Sequence, residues 1–322
     1  MRRLADAFVV TWQKQGQWGR MHENRTGAVA EFNTSGGVMA VGDLRLAAHY
    51  YTNDAYLKTA SRLPTSITPA TSSRLGQTTG GCADILHNAD AETAASFMTA
   101  LLTLYETTSD RQWLERSRQL AHLVATWTTS YDYQLPADTE LARLGAKLAG
   151  VYWASTQNKH GAPGICTSSG DALFRIYRAT GKRQYAELLH DIVHAHGDSI
   201  RPGGFTNERL TYCDAERRGN RGNVATGWNE LNGFLMALEI PGIYLRTDTA
   251  ELFVFDHVEA RVVKRDTSGV ALELRNPTKL DASVTLLAES GSQADKPLTR
   301  TAFLHWSKLD VKAGEAGTVT LR

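Results

Sequence analysis

Four carboxylates, Asp90, Glu92, Asp171 and Glu230, each stand at or just before the first turn of a segment with helical apolar spacing. Glycoside hydrolysis needs two carboxyl groups across the scissile bond. One is kept protonated by burial or by a like charge and acts as acid, and the other stays ionised as base or nucleophile. Taken singly, such residues more often cap helices, because they accept from orphan backbone N–H groups and complement the helix dipole. As a set on helix starts that face one mouth, they point to a common cavity. The stretch Trp153 to Gly164 adds polar groups just before another helix start. Trp153 offers an apolar face for a sugar ring, Gln157 and Asn158 offer donors and acceptors for hydroxyls, and Lys159 and His160 can hold a carboxylate or move a proton. A surface loop stiffened by Gly161, Pro163 and Gly164 accounts for the same residues equally well. Trp18 and Arg20, with His22 and Arg25, form a second aromatic and basic segment, and Trp228 stands just before Glu230. The expected catalytic set is therefore Asp90, Glu92, Asp171, Glu230 and His160. The expected substrate-binding set is Trp18, Arg20, Trp153, Gln157, Asn158, Lys159 and Trp228.

The elements that must position these residues announce themselves through a repeated corner. Tyr105 to Trp113, Tyr177 to Tyr185 and the one-residue-shorter Tyr50 to Tyr56 each run from an aromatic through a polar turn to a second aromatic. Each predicts a helical hairpin, with the second aromatic opening a buried stripe. The expected hairpins are 37–51 with 54–63, 91–108 with 111–130, and 169–179 with 183–195. Helices are also expected over 2–14, near 139–149 and over 229–240, the last stopped by Pro241 and Gly242. Beyond Pro241 the texture changes to short β-branched alternating runs at 243–246, 251–255, 258–263, 270–274, 283–287 and 317–321. The expected fold is mainly α: a helical-hairpin toroid domain over 1–241, followed by a β-sandwich-like domain over 242–322.

Composition narrows the chemistry. A formal charge of +1, with no Lys/Arg-dense run, argues against nucleic acid as a partner. Cys82, Cys166 and Cys213 are odd in number and lack paired spacing, so neither a disulfide framework nor a zinc knuckle is expected. No apolar run has the length of a membrane span, and Asp6 interrupts the only apolar stretch near the start, so no membrane association is expected. Free thiols without a leader point to a cytoplasmic protein, although a chain that had lost a leader would read the same. Phosphate-loop, dinucleotide and nucleophile-elbow motifs are absent. His122, His190, His194 and His196 fall on outer helices and read as solvated or helix-end residues. His190 and His194 have metal-pair spacing, but no third ligand follows, so no metal and no cofactor is expected.

These corners, the inner helices opening in polar turns and the passage through Pro241–Gly242 into strands resemble the six-hairpin, (α/α)6-toroid carbohydrate-active enzymes. The order from Cys166 through Gly181 to Ile240, Pro241 and Tyr244 is distantly similar to the β-L-arabinofuranosidase family in that group. The resemblance implies a glycosidase with a carbohydrate substrate. That family's zinc and thiolate chemistry does not carry over: Cys166 alone matches, and Thr226 to Glu230 stands where a Cys pair would be. Other toroid enzymes act on uronic acids or cleave them as lyases. Arg20, Arg25, Lys159 and His160 suit an acidic sugar, since a carboxylate wants a charge-assisted partner. The function expected is a glycoside hydrolase. The alternatives are a uronate lyase using His160 or Tyr131 as base, and a non-catalytic carbohydrate-binding scaffold. A full toroid has twelve helices, and nine at most are read here. Either the ring is incomplete, or upstream helices are missing, or more lie in 64–90 and 196–226. A partial ring leaves room for a homo-oligomer to close the pocket.

Overall fold

A computed structural model describes residues 1–32, 34–67, 78–80, 88–158, 160–165, 168–201, 203–204, 206, 211–212, 227–267, 269–299 and 301–321. The expectations placed on Cys82, Lys159, Cys166, Cys213 and Thr226 lie outside the described residues. The chain divides into two compact units. One comprises Met1–Thr128, Tyr152–Ala162 and Thr211–Arg218, and the other Thr129–Val151, Pro163–Leu210 and Gly219–Arg322.

The first unit contains helix α1 (Arg2–Gln15), a 3-10 turn (Gly36–Met39) running into α2 (Ala40–Tyr51), α3 (Asp54–Ile67), α4 (Ala91–Thr108) and α5 (Arg111–Thr126). Two of the repeated corners lie here, and both work as expected. Each first helix ends on a left-handed residue, Thr52 (φ 51°) or Ser109 (φ 58°), which turns the chain back. The aromatic after each corner is then buried, Tyr56 in α3 and Trp113 in α5. Helix α4 buries residues on nearly every side, including Phe97, Met98, Leu101, Leu102 and Leu104. Such a helix needs partners all round it. A small antiparallel sheet in the order β1 (Tyr152–Trp153), β2 (His160–Ala162), β3 (Thr211–Tyr212) completes the unit. The polar stretch expected as a loop after Trp153 is thus a tight β-hairpin. Its third strand comes from fifty residues downstream, and no local pattern reports such a pairing.

The second unit holds the short helix α6 (Glu140–Leu144), the hairpin α7 (Asp171–Thr180) and α8 (Arg183–Asp198), and helix α9 (Gly227–Glu239). The third corner ends on Gly181 (φ 66°) and buries Tyr185, repeating the rule. Seven strands follow: β4 (Ile243–Arg246), β5 (Glu251–Val254), β6 (Glu259–Asp266), β7 (Gly269–Arg275), β8 (Ala282–Glu289), β9 (Ser307–Val311) and β10 (Ala316–Leu321). They form one sheet in the order β5-β4-β8-β9, with β4 and β8 parallel, and an antiparallel sheet in the order β10-β7-β6. Ile243, Leu245, Val270, Leu272, Leu274, Val284 and Leu286, drawn from both sheets, make one apolar cluster. Strand β9 and the short helix α10 (Gly291–Ala294) were not expected. Only alternate residues of β9 are even partly buried, so its apolar signal is weak. Arg178 of α7 ties the hairpin to this sheet: its guanidinium donates to both carboxylate oxygens of Glu289 at 2.7 Å, and both side chains are buried.

Candidate active site

Asp90 and Trp153, far apart in sequence, belong to segments that zip together in the first unit. Asp90 bridges Ser155, Ala91 N–H donates to Ala154 O at 3.0 Å, and Thr156 N–H donates to Ala89 O at 3.0 Å. The Asn88 side-chain amide donates to Gln157 Oε1 at 2.7 Å. Ala154 N–H in turn donates to His160 O at 3.1 Å. One residue of β-hairpin therefore links the start of α4 to His160 by backbone on both sides. This places two segments chosen independently from the sequence, 88–92 and 153–160, side by side.

At this junction Asp90 is fully buried (0% exposed) and caps α4. Thr93 donates to it twice, from its backbone N–H at 2.6 Å to Oδ1 and from its hydroxyl at 3.0 Å to Oδ2. The capping role is thus real, and it fixes the carboxylate at the positive end of the helix. Glu92, in the same first turn, is half-buried. Between the two segments lies Tyr152, buried completely, whose hydroxyl donates to Ala91 O at 2.6 Å. Burial, and then the charges of Asp90 and Glu92, push its phenol well above the ordinary tyrosine range. Tyr152 therefore stays a neutral donor next to two carboxylates. His160 is 2% exposed, with Nδ1 at 3.2 Å from Asn158 O. Thr78 and Ser35 lock the far side. Thr78 Oγ1 donates to Asp90 O at 2.8 Å, and Ser35 Oγ both donates to Thr79 O and accepts from Thr79 N–H.

Two other expectations in this unit fail on packing. Trp18 is 1% exposed, its indole N–H donates to Phe8 O at 2.7 Å, and its ring meets Phe8 and Trp12 edge-on. It is a core residue with no face for a sugar. Arg20 is held by Glu31, 2.9 Å from Nε to Oε2, with both side chains largely buried. A tryptophan between glycines reads as a loop residue until the helix that covers it is known. Trp153 is half-buried, Gln157 exposed and Asn158 half-buried.

In the second unit Asp171 is the first residue of α7, and Gly170 rather than Asp171 occupies the cap. Its carboxylate pairs with Arg175 one turn on, at 3.0 Å. Glu230 is exposed in the first turn of α9. Helix α9 has reversed polarity. Trp228 (52% exposed), Leu231 and Phe234 face outward, whereas Asn229 and Asn232 are buried. The Asn229 amide nitrogen, and both polar atoms of Asn232, have no hydrogen-bond partner among the described residues. Buried amides left unpaired are costly. These two asparagines were missed; the available signal was a pair of polar residues at i, i+3 on the face where apolar ones belong. His194 is half-buried rather than solvated, and His196 stands in the last turn of α8, as expected of a helix-end residue, but is buried. Among the described residues no group of three His, Cys, Asp or Glu side chains could hold a metal ion. No described helix is long and apolar enough to cross a membrane.

No family model and no curated protein matches the sequence. Among solved structures the chain is similar to a GH76 α-mannanase from Bacteroides thetaiotaomicron, at 14% identity and TM-score 0.39, over 64% of this chain and 62% of that one. A GH8 endo-β-1,4-glucanase from an Achatina fulica gut metagenomic library aligns at 14% identity and TM-score 0.37, over 63% and 61%. A polysaccharide lyase aligns at 13% identity and TM-score 0.39, over 64% and 60%. The chain thus spans about three-fifths of the length of these proteins. At such identity and overlap, activity and substrate must be argued from the chain's own residues.

Proposed function

We propose that this chain is a glycoside hydrolase that works at the start of α4, on an extended helical-hairpin scaffold of the toroid kind with a sandwich-like module after Pro241. The single observation that carries this is the zipped junction of 88–91 with 154–157, which sets Tyr152 beside the charges of Asp90 and Glu92 and is hydrogen-bonded onward to the His160 backbone. Asp90 is committed to its cap, so it serves as a fixed negative charge. Glu92, half-buried in the same first turn, takes the role of acid. Trp153, Gln157 and Asn158 border the same junction and supply an apolar face and hydroxyl partners. Hydrolysis needs a second carboxyl, and within this unit Asp90 is the candidate. Asn229, Asn232 and Trp228 are proposed to contact carbohydrate from α9.

Aryl-glycosides of neutral sugars and of uronic acids, assayed with the full chain and with Glu92→Gln and Asp90→Asn, test this proposal. Loss of roughly 10²-fold or more in Glu92→Gln is expected, the size of a lost general acid. Full activity in both variants, or no turnover of any substrate, would overturn it. Uronate cleavage by elimination is the second reading, favoured by a buried His160 in the same small sheet as Tyr152. It predicts an unsaturated, ultraviolet-absorbing product in place of a reducing sugar alone. Arg20 no longer speaks for an acidic substrate, because Glu31 occupies it.

A further inference from the structure

Helix α8 and the turn between β5 and β6, both in the second unit, meet through histidines. The rings of His190 and His194 stack at 3.9 Å between centroids, tilted by 26°, and His194 stacks on His257 at 4.1 Å and 23°. Asp198, at the end of α8, pairs with the far side of His257 at 3.5 Å. The helix leaves room for this contact at Gly197, where a Cβ would lie 2.5 Å from the His257 ring. One turn over, His196 is buried with neither ring nitrogen partnered among the described residues, and Gly233 of α9 makes room for it in the same way, at 2.6 Å. Glycine inside a helix is unfavourable, so two helices giving way to imidazoles mark a fitted arrangement.

We propose that His190, His194 and His257, with Asp198, form an acid-released latch that holds the β5–β6 turn against helix α8. The stacked rings of His194 and His257 tolerate one positive charge between them, and the Asp198 carboxylate fixes where it sits. The Asp198 contact raises His257 above the ordinary histidine range against the effect of burial. Burial, then the neighbouring His190 and His257, hold His194 down to about 4. The charged and titratable groups around His194 are His190, His196 and Asp198 on its own helix and Asp256 and His257 on the turn. Lys147 adds a backbone N–H to Asp198 from the segment after α6. His190 also pairs with Asp191 at 3.2 Å. A second proton on the stack puts two cations ring against ring, and the turn must leave. The turn supplies Phe255, Asp256 and His257 to the wall of a cavity of about 240 Å³ that His196, Met236 and Ile240 also line, so its departure would unwall that cavity.

Hydrogen exchange of the full chain at about pH 6.5 and about pH 4.5, corrected for the intrinsic rate, tests the latch. Peptides covering 183–198 and 251–260 are expected to lose protection roughly tenfold or more on acidification, while those covering 91–108 do not. His194→Phe keeps the stack without the proton and is expected to cut this loss several-fold, leaving only the part that His196 contributes. His257→Gln is expected to loosen the turn already at the higher pH, with little further change on acidification. Unchanged protection in the wild type, equal loss in all segments, or a His194→Phe chain that opens like the wild type would each overturn the proposal. Should His194→Phe not fold, pH-dependent opening retained in His257→Gln would overturn it equally.

Discussion

Removing the Glu289 carboxylate should be among the most damaging single changes in the second unit. Arg178 and Glu289 are 4% and 6% exposed, and their two-pronged contact is supplemented by Lys296 O at 3.2 Å and Gln293 O at 3.4 Å from the guanidinium. Glu289→Ala leaves a buried cation facing only two carbonyls. Breaking a buried pair from one side costs about 3–5 kcal/mol. Against a typical stability of roughly 5–15 kcal/mol, that is from about a fifth to all of the total. For a unit of this size it corresponds to a fall in Tm of roughly 6–20 °C. Replacing both partners, Arg178→Met with Glu289→Leu, removes both desolvation penalties and should return most of the loss. Chemical denaturation of the wild type, Arg178→Met, Glu289→Leu and the double variant closes the cycle. The reasoning fails if Glu289→Ala costs less than about 1 kcal/mol, or if the double variant is as unstable as the two singles added together.

Thr52 is a β-branched residue at φ 51°, so Thr52→Gly should raise stability by about 1 kcal/mol, read as a higher denaturation midpoint. Asp90→Ala removes the buried cap of α4 and should cost about 1–2 kcal/mol, whereas Asp90→Asn, which can still accept from Thr93, should cost less. Circular dichroism melts separate the two. Burial, helped by His257, lowers His196 to about 4. Its folded value lies below the unfolded one, so its stabilising contribution is complete above about pH 6.5 and is lost on descent toward pH 4, roughly 3 kcal/mol in all. His257 is raised and works oppositely, its contribution being lost as pH climbs through its folded value. Denaturation at several pH values should therefore show acid lability that flattens in His196→Gln; an unchanged slope in that variant would contradict the assignment.

The corners were legible in the sequence because everything they need is local. An apolar helical stripe, a left-handed residue and an aromatic opening the next stripe lie within about ten residues, so 50–56, 105–113 and 177–185 could be placed before any contact was known. The strands after Pro241 were legible for the same reason, except β9, whose residues are only weakly buried. Asp90 was recognisable as a helix start, since capping is written in the chain next to the helix it caps.

What the tertiary structure alone decided is which of these local features share a neighbourhood. The zipping of 88–91 to 154–157, the β3 pairing that turns the Trp153 loop into a hairpin, and the Arg178–Glu289 contact across more than a hundred residues depend on long-range contacts. The burial of Trp18 and the capture of Arg20 by Glu31 likewise came from packing, as did the inward asparagines of α9 and the histidine stack on α8. A residue's type and spacing set what it can donate, accept or bury. Whether it faces solvent, a partner or a core depends on surfaces contributed from elsewhere in the chain.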